Sequence, residues 1–240
     1  MPSFRHRSYQ KELLDRNDIP FEDIKRNMRE LDFINTKLGG HDITLDGIAT
    51  LLKEQVFFNS NLTVIEIGCG GGDNLRAIRN WAERIHLPVE LKGIDVNPEC
   101  IAYAKQQKRN RGIEFITSDY KDVSFQLKPD IIFSSLFCHH FDEEQLVFIL
   151  QWMQRNSQVG FFINDLHRHR LAYYSIKLLT RLFSKSYMVK NDAPLSVCRG
   201  FKKNEWNTIF DEAGISNFKC RWRWAFRWLI TCSNANEGRI

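Results

Sequence analysis

Five short β-rich runs alternating with helical patterns set the tightest limit on how this chain folds. The runs cover about residues 62–67, 89–94, 113–117, 130–134 and 159–164, and the fourth is almost continuously apolar. Parallel strands read that way, because the helices joining them cover both faces of the sheet. Helices are expected at about 74–85, from Asn97-Pro98 through 108, and at 142–155. Pro98 suits a first helical turn, where its missing N–H is not needed. Such a series of βα units predicts an α/β, doubly wound parallel sheet.

Before the first run, residues 8–58 predict helices and no strand. Phe21, Ile24, Met28, Leu31 and Ile34 or Asn35 recur at three- and four-residue spacing, which gives a helix one apolar face. Gly39-Gly40 stops that helix, and a second is expected from about 45 to 57. Residues 1–58 therefore read as an N-terminal helical cap on a domain spanning 59–240. After the fifth strand the pattern predicts a long helix over 166–183 and a polar linker through Asp192-Ala193-Pro194. A helix over 202–213 follows, closed by Gly214. Residues 166–200 read as a lid-like helical insertion. Two β-rich runs, about 215–222 and 226–232, come last.

The first run leads into Val64-Ile65-Glu66-Ile67-Gly68-Cys69-Gly70-Gly71-Gly72-Asp73. Glycines leaving a strand let backbone approach a ligand, and the next helix aims its N-terminus at the same place. The dinucleotide fingerprint G-x-G-x-x-G fails, because its last position is Asp73. The spacing present is E-x-G-x-G-x-G, from Glu66 to Gly72.

That spacing resembles the first motif of class I (Rossmann-like) S-adenosylmethionine-dependent methyltransferases, over about residues 60–232. Later motifs arrive in order. Asp95, in Gly93-Ile94-Asp95-Val96-Asn97-Pro98, ends the second strand, where the family uses an acid to accept both ribose hydroxyls. Asp119, in Thr117-Ser118-Asp119-Tyr120, ends the third, where the family holds the adenine amino group. Ser135 and Leu136 follow the fourth strand, beside the methionine part. The resemblance implies S-adenosyl-L-methionine (SAM) as cofactor. It would be bound by Glu66, Gly68, Cys69, Gly70, Gly72, Asp73, Asp95, Val96, Asn97, Ser118, Asp119, Tyr120, Ser135 and Leu136. It also implies a seven-stranded sheet whose last strands form an antiparallel hairpin at one edge. The chemistry agrees: the cofactor carries no phosphate, and carboxylates accept strongly from hydroxyls and amines.

Methyl transfer needs an acceptor lone pair in line with the methyl carbon, and a base where a proton must leave. In small-molecule members of the family the loop after strand four often carries a His-His pair, here His139-His140. His140 is the expected catalytic member, since imidazole titrates near neutrality. Asp165 and His167 are expected at the same edge as further catalytic residues, with Arg168 open to an acidic or phenolic group. The plainer readings are a packed histidine at 140 and helix capping by Asp165. Strand four lacks the acid of metal-dependent catechol methyltransferases, so no metal is expected, although Asp165, His167 and His169 could converge on one. The turn at 34–41 and the run 165–174 are similar to a bacterial subgroup associated with type III polyketide synthases or aryl-pigment pathways. That similarity implies an apolar or aromatic acceptor, phenolic or polyketide-like, and secondary metabolism.

The helix through Leu171, Tyr174, Leu178 and Leu182 carries Lys177, Arg181 and Lys185 along one edge. It suits a lid, a loose membrane-surface contact, or a core stripe with a solvated edge. With 34 Lys plus Arg against 29 Asp plus Glu, the charge of +5 is too small and dispersed to point to nucleic acid. In the basic tail Cys220, Trp222 and Trp224 alternate with Arg221 and Arg223, the pattern of a half-buried strand. The six cysteines are scattered and read as reduced thiols. No run is long enough to cross a bilayer and no signal-peptide stretch opens the chain, so a cytoplasmic protein is expected. A reading of another class stays open: a SAM-binding regulator or partner subunit without transferase activity.

Overall fold

The computed structural model describes residues 3–16, 18–53 and 61–234. Its strands are β1 Leu62–Ile67, β2 Val89–Asp95, β3 Glu114–Thr117, β4 Ile131–Ser135, β5 Gly160–Leu166, β6 Phe218–Arg223 and β7 Arg227–Ser233. They form one seven-stranded sheet of order β3-β2-β1-β4-β5-β7-β6. Strands β1 to β5 pair in parallel, while β7 runs antiparallel to both β5 and β6. The doubly wound α/β architecture and its C-terminal hairpin are as the sequence implies.

The helices are α1 Phe21–Lys37, α2 Gly40–Leu52, α3 Asp73–Arg84, α4 Pro98–Gln106, α5 Glu143–Asn156, α6 Arg170–Phe183, α7 Tyr187–Arg199 and α8 Lys203–Glu212. Alternate strand residues feed two cores. Val64, Phe133 and Phe162 join Ile43, Ile48, Leu75 and Ile78 of α2 and α3 on one face. Ile65, Ile132 and Phe161 join Leu146, Ile149, Trp206 and Phe210 of α5 and α8 on the other. Each such side chain contributes about 1.5–3 kcal/mol of burial, so the period-two pattern fixes the register of every strand.

Three expectations fail, each where tertiary contacts override local signals. Residues 3–12 form an irregular strap rather than a helix, followed by a short 3-10 turn at Leu13–Asp15. The strap is held from outside: Arg7 Nε donates to the Arg199 carbonyl at 3.0 Å, and the Leu13 and Leu14 N–H groups donate to Asp192 at 2.9 and 3.1 Å. Most of the expected polar linker from 184 through Pro194 lies inside α7, with Pro194 in the helix, because Met188, Val189, Val197 and Cys198 are buried there. Such burial outweighs the hydrogen bond a mid-helix proline removes. The expected helix start at 166 also fails. Pairing with Arg227 extends β5 to Leu166, and His169 caps α6 by accepting the Leu171 N–H at 3.1 Å. Helix α2 begins at Gly40, five residues before the expected start, and residues 54–57 of that expectation lie outside the described residues. Among the described residues no helix is long and apolar enough to cross a membrane.

Candidate active site

Strand order reverses between β1 and β4, and the crevice at their carboxyl ends is where open α/β sheets bind ligands. A cavity of about 1230 Å3 opens there. It exceeds the ~300–1,000 Å3 typical of a small-molecule pocket, which leaves room for two molecules.

One end is built by the glycine turn. The Gly68 and Cys69 N–H groups donate to the Ile94 carbonyl at 2.8 and 3.1 Å. Gly68 has φ +68°, and a Cβ there would stand 2.1 Å from the Phe137 ring. Only glycine satisfies both demands. Asn110, held by Arg76 at 2.9 Å, donates its amide to the Gly71 carbonyl at 3.0 Å and buttresses the turn from behind.

Carboxylates surround this end. Asp95 accepts from Gly70 N–H at 2.8 Å through Oδ2 and from Asn97 N–H at 2.9 Å through Oδ1. Burial pushes its carboxyl up, and those two N–H groups pull it back. Asp119 caps a short turn, accepting from Lys121 N–H at 3.1 Å. Glu66 is wholly buried; burial and the neighbouring Asp73 push its carboxyl well above the usual range. Its Oε1 accepts from Asn74 at 2.9 Å, while Oε2 is buried without a partner. A buried polar atom without a partner calls for one from a ligand. Every residue the sequence assigns to the cofactor lines the cavity except Gly72, whose neighbour Gly71 does. This donor and acceptor set fits a ligand rich in hydroxyls and amines, as SAM is. Asp73 belongs to two structures at once, since its Oδ2 accepts from Asn35 of α1 at 3.0 Å and pairs with His41 of α2 at 2.9 Å.

The cavity also has apolar lining: Leu14, Ile19, Ile24, Met28 and Leu31 of the N-terminal segment, with Phe137, Phe141 and Phe148, alongside Asp15, Arg16, Asp142, Glu144 and Gln145. Neither α6 nor α7 lines the cavity, so the cover is Leu14, Asp15, Arg16 and Ile19, which follow the strap, together with α1, while α7 grips Leu13 and Leu14 from outside. The apolar spacing of α1 was visible in the sequence, but nothing told it apart from ordinary core.

His140 lines the cavity with its side chain 21% exposed, and its Nδ1 meets Asp15 Oδ1 at 3.0 Å. His139 turns the other way and is buried. Its Nδ1 pairs with Asp165 Oδ1 at 2.8 Å, and its Nε2 lies 3.5 Å from Glu12 Oε1. Burial opposes charge on His139, but the Asp165 and Glu12 carboxylates outweigh it and raise the imidazole to about 9. Burial likewise opposes charge on Asp165, and His139 holds its carboxyl below the usual range.

Two expected catalytic residues are therefore displaced. Asp165 is fully buried behind His139 and does not line the cavity. His167 also lies off the cavity, where its Nδ1 accepts from Trp222 Nε1 at 3.2 Å. Burial, with His169, Arg168 and Lys202 nearby, lowers His167 to about 4. His167 lies one residue past the end of β5, bridged to Phe201, and its ring turns to Trp222 while Asp165 turns to His139. Arg168 is 1% exposed and bound to Glu205, so it is not open to a substrate. Residues the sequence did not single out, Asp15 and Glu12, take the places beside the histidines. Asp165, His167 and His169 do not converge. Other metal-ligand types do: Glu12 with His139 and His140, and Asp32 with His41 and Asp73. Each set already holds an arginine, Arg199 at 3.9 Å from Glu12 and Arg76 at 2.6 Å from Asp32.

The solved structures similar to this chain share its fold. The plantazolicin methyltransferase BpumL, crystallised with SAH, is 19% identical with a TM-score of 0.58 over 84% of this chain and 72% of its own. The magnesium protoporphyrin IX methyltransferase ChlM of Synechocystis PCC 6803, with bound SAH, is 15% identical with a TM-score of 0.55, over 85% of this chain and 87% of its own. Human N-acetylserotonin methyltransferase in complex with SAM is 14% identical with a TM-score of 0.60, over 90% and 57%. In sequence, the 235L protein of Invertebrate iridescent virus 6, which its name places among methyltransferases, is 26% identical over 157 residues. That stretch is 65% of this chain and 49% of the relative, so the chain spans about half that relative's length. A family model described as a methyltransferase domain matches residues 58–214, well over half of the sequence, and the chain belongs to that family.

Proposed function

We propose that the chain is a SAM-dependent methyltransferase acting on an apolar or aromatic small molecule, of phenolic or polyketide-like type. One observation carries the reading: a single cavity is lined by the carboxylate-rich glycine turn, by apolar side chains of the N-terminal segment and the loop 137–141, and by His140. Bound SAM supplies an electrophilic methyl carbon. Asp95 and Asp119 accept its hydroxyl and amine donors, and the glycine turn lets the backbone close on it. The apolar walls from the N-terminal segment bury the acceptor and exclude water. Asp15 Oδ1 orients the His140 ring through Nδ1 at 3.0 Å, with Nε2 3.9 Å from Glu12 Oε2, and the imidazole is the group placed to take a proton from a phenol as it attacks.

The SAH- and SAM-bound neighbours support the cofactor, and the acceptor class rests on the cavity's apolar side chains. The reaction needs no metal in this reading, since the base and the binding groups are side chains. A cytoplasmic site of action fits the free cysteines. Calorimetry with SAM, followed by transfer of labelled methyl into a panel of alkylated phenols with and without a chelator, tests the cofactor, the acceptor class and the metal independence. Binding with chelator-insensitive label in a phenolic product is expected. Binding without transfer to any acceptor would leave a SAM-binding protein that is not an enzyme, and no binding would overturn the reading entirely.

A further inference from the structure

Helix α6 turns its apolar stripe away from the protein. Leu171, Tyr174, Leu178 and Leu182 fall along one line at 3.6 residues per turn, and they are 62%, 48%, 58% and 63% exposed. The residues that α6 buries are Ala172 and Thr180. A helix serving its own core does the reverse, so the stripe is placed for something outside the chain. Arg170, Lys177 and Arg181 line one edge of it, with Lys185 just beyond, and α6 contains no Asp or Glu. None of these cations meets a carboxylate among the described residues.

The β6–β7 hairpin continues this surface. Arg221 and Arg223 turn toward α2, bonding Thr50 at 2.8 Å and Asp46 at 2.7 Å. Trp222 points the other way and reaches His167, and Trp224 at the tip is 68% exposed. The half-buried strand expected there holds at Phe218 and Cys220, which pack on the core, but both tryptophans face outward. The Phe226 ring lies 6.0 Å from Trp224 and stacks at 5.2 Å on His169, the cap of α6. Helix stripe and hairpin tip are thus adjoining parts of one patch.

We propose that α6 and the hairpin tip dock the protein on the surface of an anionic lipid membrane. The leucines enter the acyl boundary, the tryptophans sit at headgroup depth, and the cationic edge meets lipid phosphates. A second copy of the chain complements this face poorly. A twofold pairing sets two acid-free, cation-edged faces together with nothing to neutralise them.

Sedimentation of the full chain with vesicles of phosphatidylcholine, or of equimolar phosphatidylcholine and phosphatidylglycerol, tests the proposal. Binding to the anionic vesicles, weakened by salt, is the expected result. Lys177→Gln with Arg181→Gln should weaken it about fivefold per charge. Leu178→Ser with Leu182→Ser should weaken it about tenfold or more. Both double variants alter exposed side chains, so their thermal melts should match the parent. Failure to bind anionic vesicles overturns the proposal, as does equal binding by both variants. A solution dimer that Leu178→Ser with Leu182→Ser splits would assign the face to a second copy instead.

Discussion

At the glycine end of the cavity, backbone carried on neighbouring parallel strands does the shaping: Gly68 and Cys69 lean on Ile94, and Asp95 reaches back to Gly70. On the N-terminal side the contacts join residues more than a hundred apart, Asp15 on His140 and Arg7 on the Phe141 carbonyl. The first end is therefore as rigid as the sheet. The second depends on a strap that holds no strand and is pinned by ion pairs and caps. A rigid end suits a ligand common to a whole family, whereas a pinned strap can vary with the acceptor.

His140→Ala gives the sharpest separation of the two ends. Turnover should fall by about a hundredfold or more, the usual worth of a positioned base, while SAM affinity in a titration stays unchanged. An unchanged rate would return His140 to a packing role. Asp165→Ala should cost about 3–5 kcal/mol of stability, because it leaves buried His139 charged beside fewer partners. The strap should become open to proteolysis before the sheet unfolds. If the whole chain melts together instead, the two ends are one unit and the contrast fails.

The same pair makes the strap sensitive to pH. His139 is raised in the folded protein from 6.5 to about 9, so its contribution is complete below about pH 6.5 and is lost as pH rises through 9. The ceiling is about 3 kcal/mol for a shift of that size. Asp165 and Glu12 are lowered, so their contribution is present above the usual carboxylate range and lost as pH falls through their folded values. Chemical denaturation at pH 6.5 and 9.5 should show the loss, and His139→Gln should flatten it. A flat profile in the parent would remove the charged His139 from the account.

The rigid end was legible in the sequence because its signals are local. A glycine cluster, an acid two residues before Asn97 and another before Tyr120 each sit at a strand end that the hydrophobic period already places. Glu12 and Asp15 cap a local turn, but nothing local marks them as partners of the histidines, which lie more than 120 residues away. Nor could spacing say which of two adjacent histidines faces the cavity, since that depends on a 3-10 turn over Cys138–His140. Asp165 and His167 look equivalent as neighbours in a motif. Two residues apart on a strand they would share a face, but Asp165 turns to His139 while His167 lies where the β5–β7 pairing reaches the hairpin. Helix α7 was hidden by Pro194, and its burial became visible only with the strap in place.

The two acids at the rigid end allow a finer test. Asp95→Ala removes a half-buried carboxylate that two N–H groups hold in place, and should weaken SAM binding by about 1–3 kcal/mol. Asp119 stands differently: its side chain is 33% exposed and already paired with Lys121 at 3.0 Å. Solvent competes for any hydrogen bond it makes to a ligand, so Asp119→Ala should cost about 0.5–1.5 kcal/mol of SAM affinity. Asp119→Asn keeps an acceptor for the turn and for an amine, and loses only an exposed ion pair. It should therefore bind nearly as the parent does, in the same titration. A larger loss from Asp119→Ala than from Asp95→Ala would mean that ribose and adenine do not lie along this edge in the order of the strands.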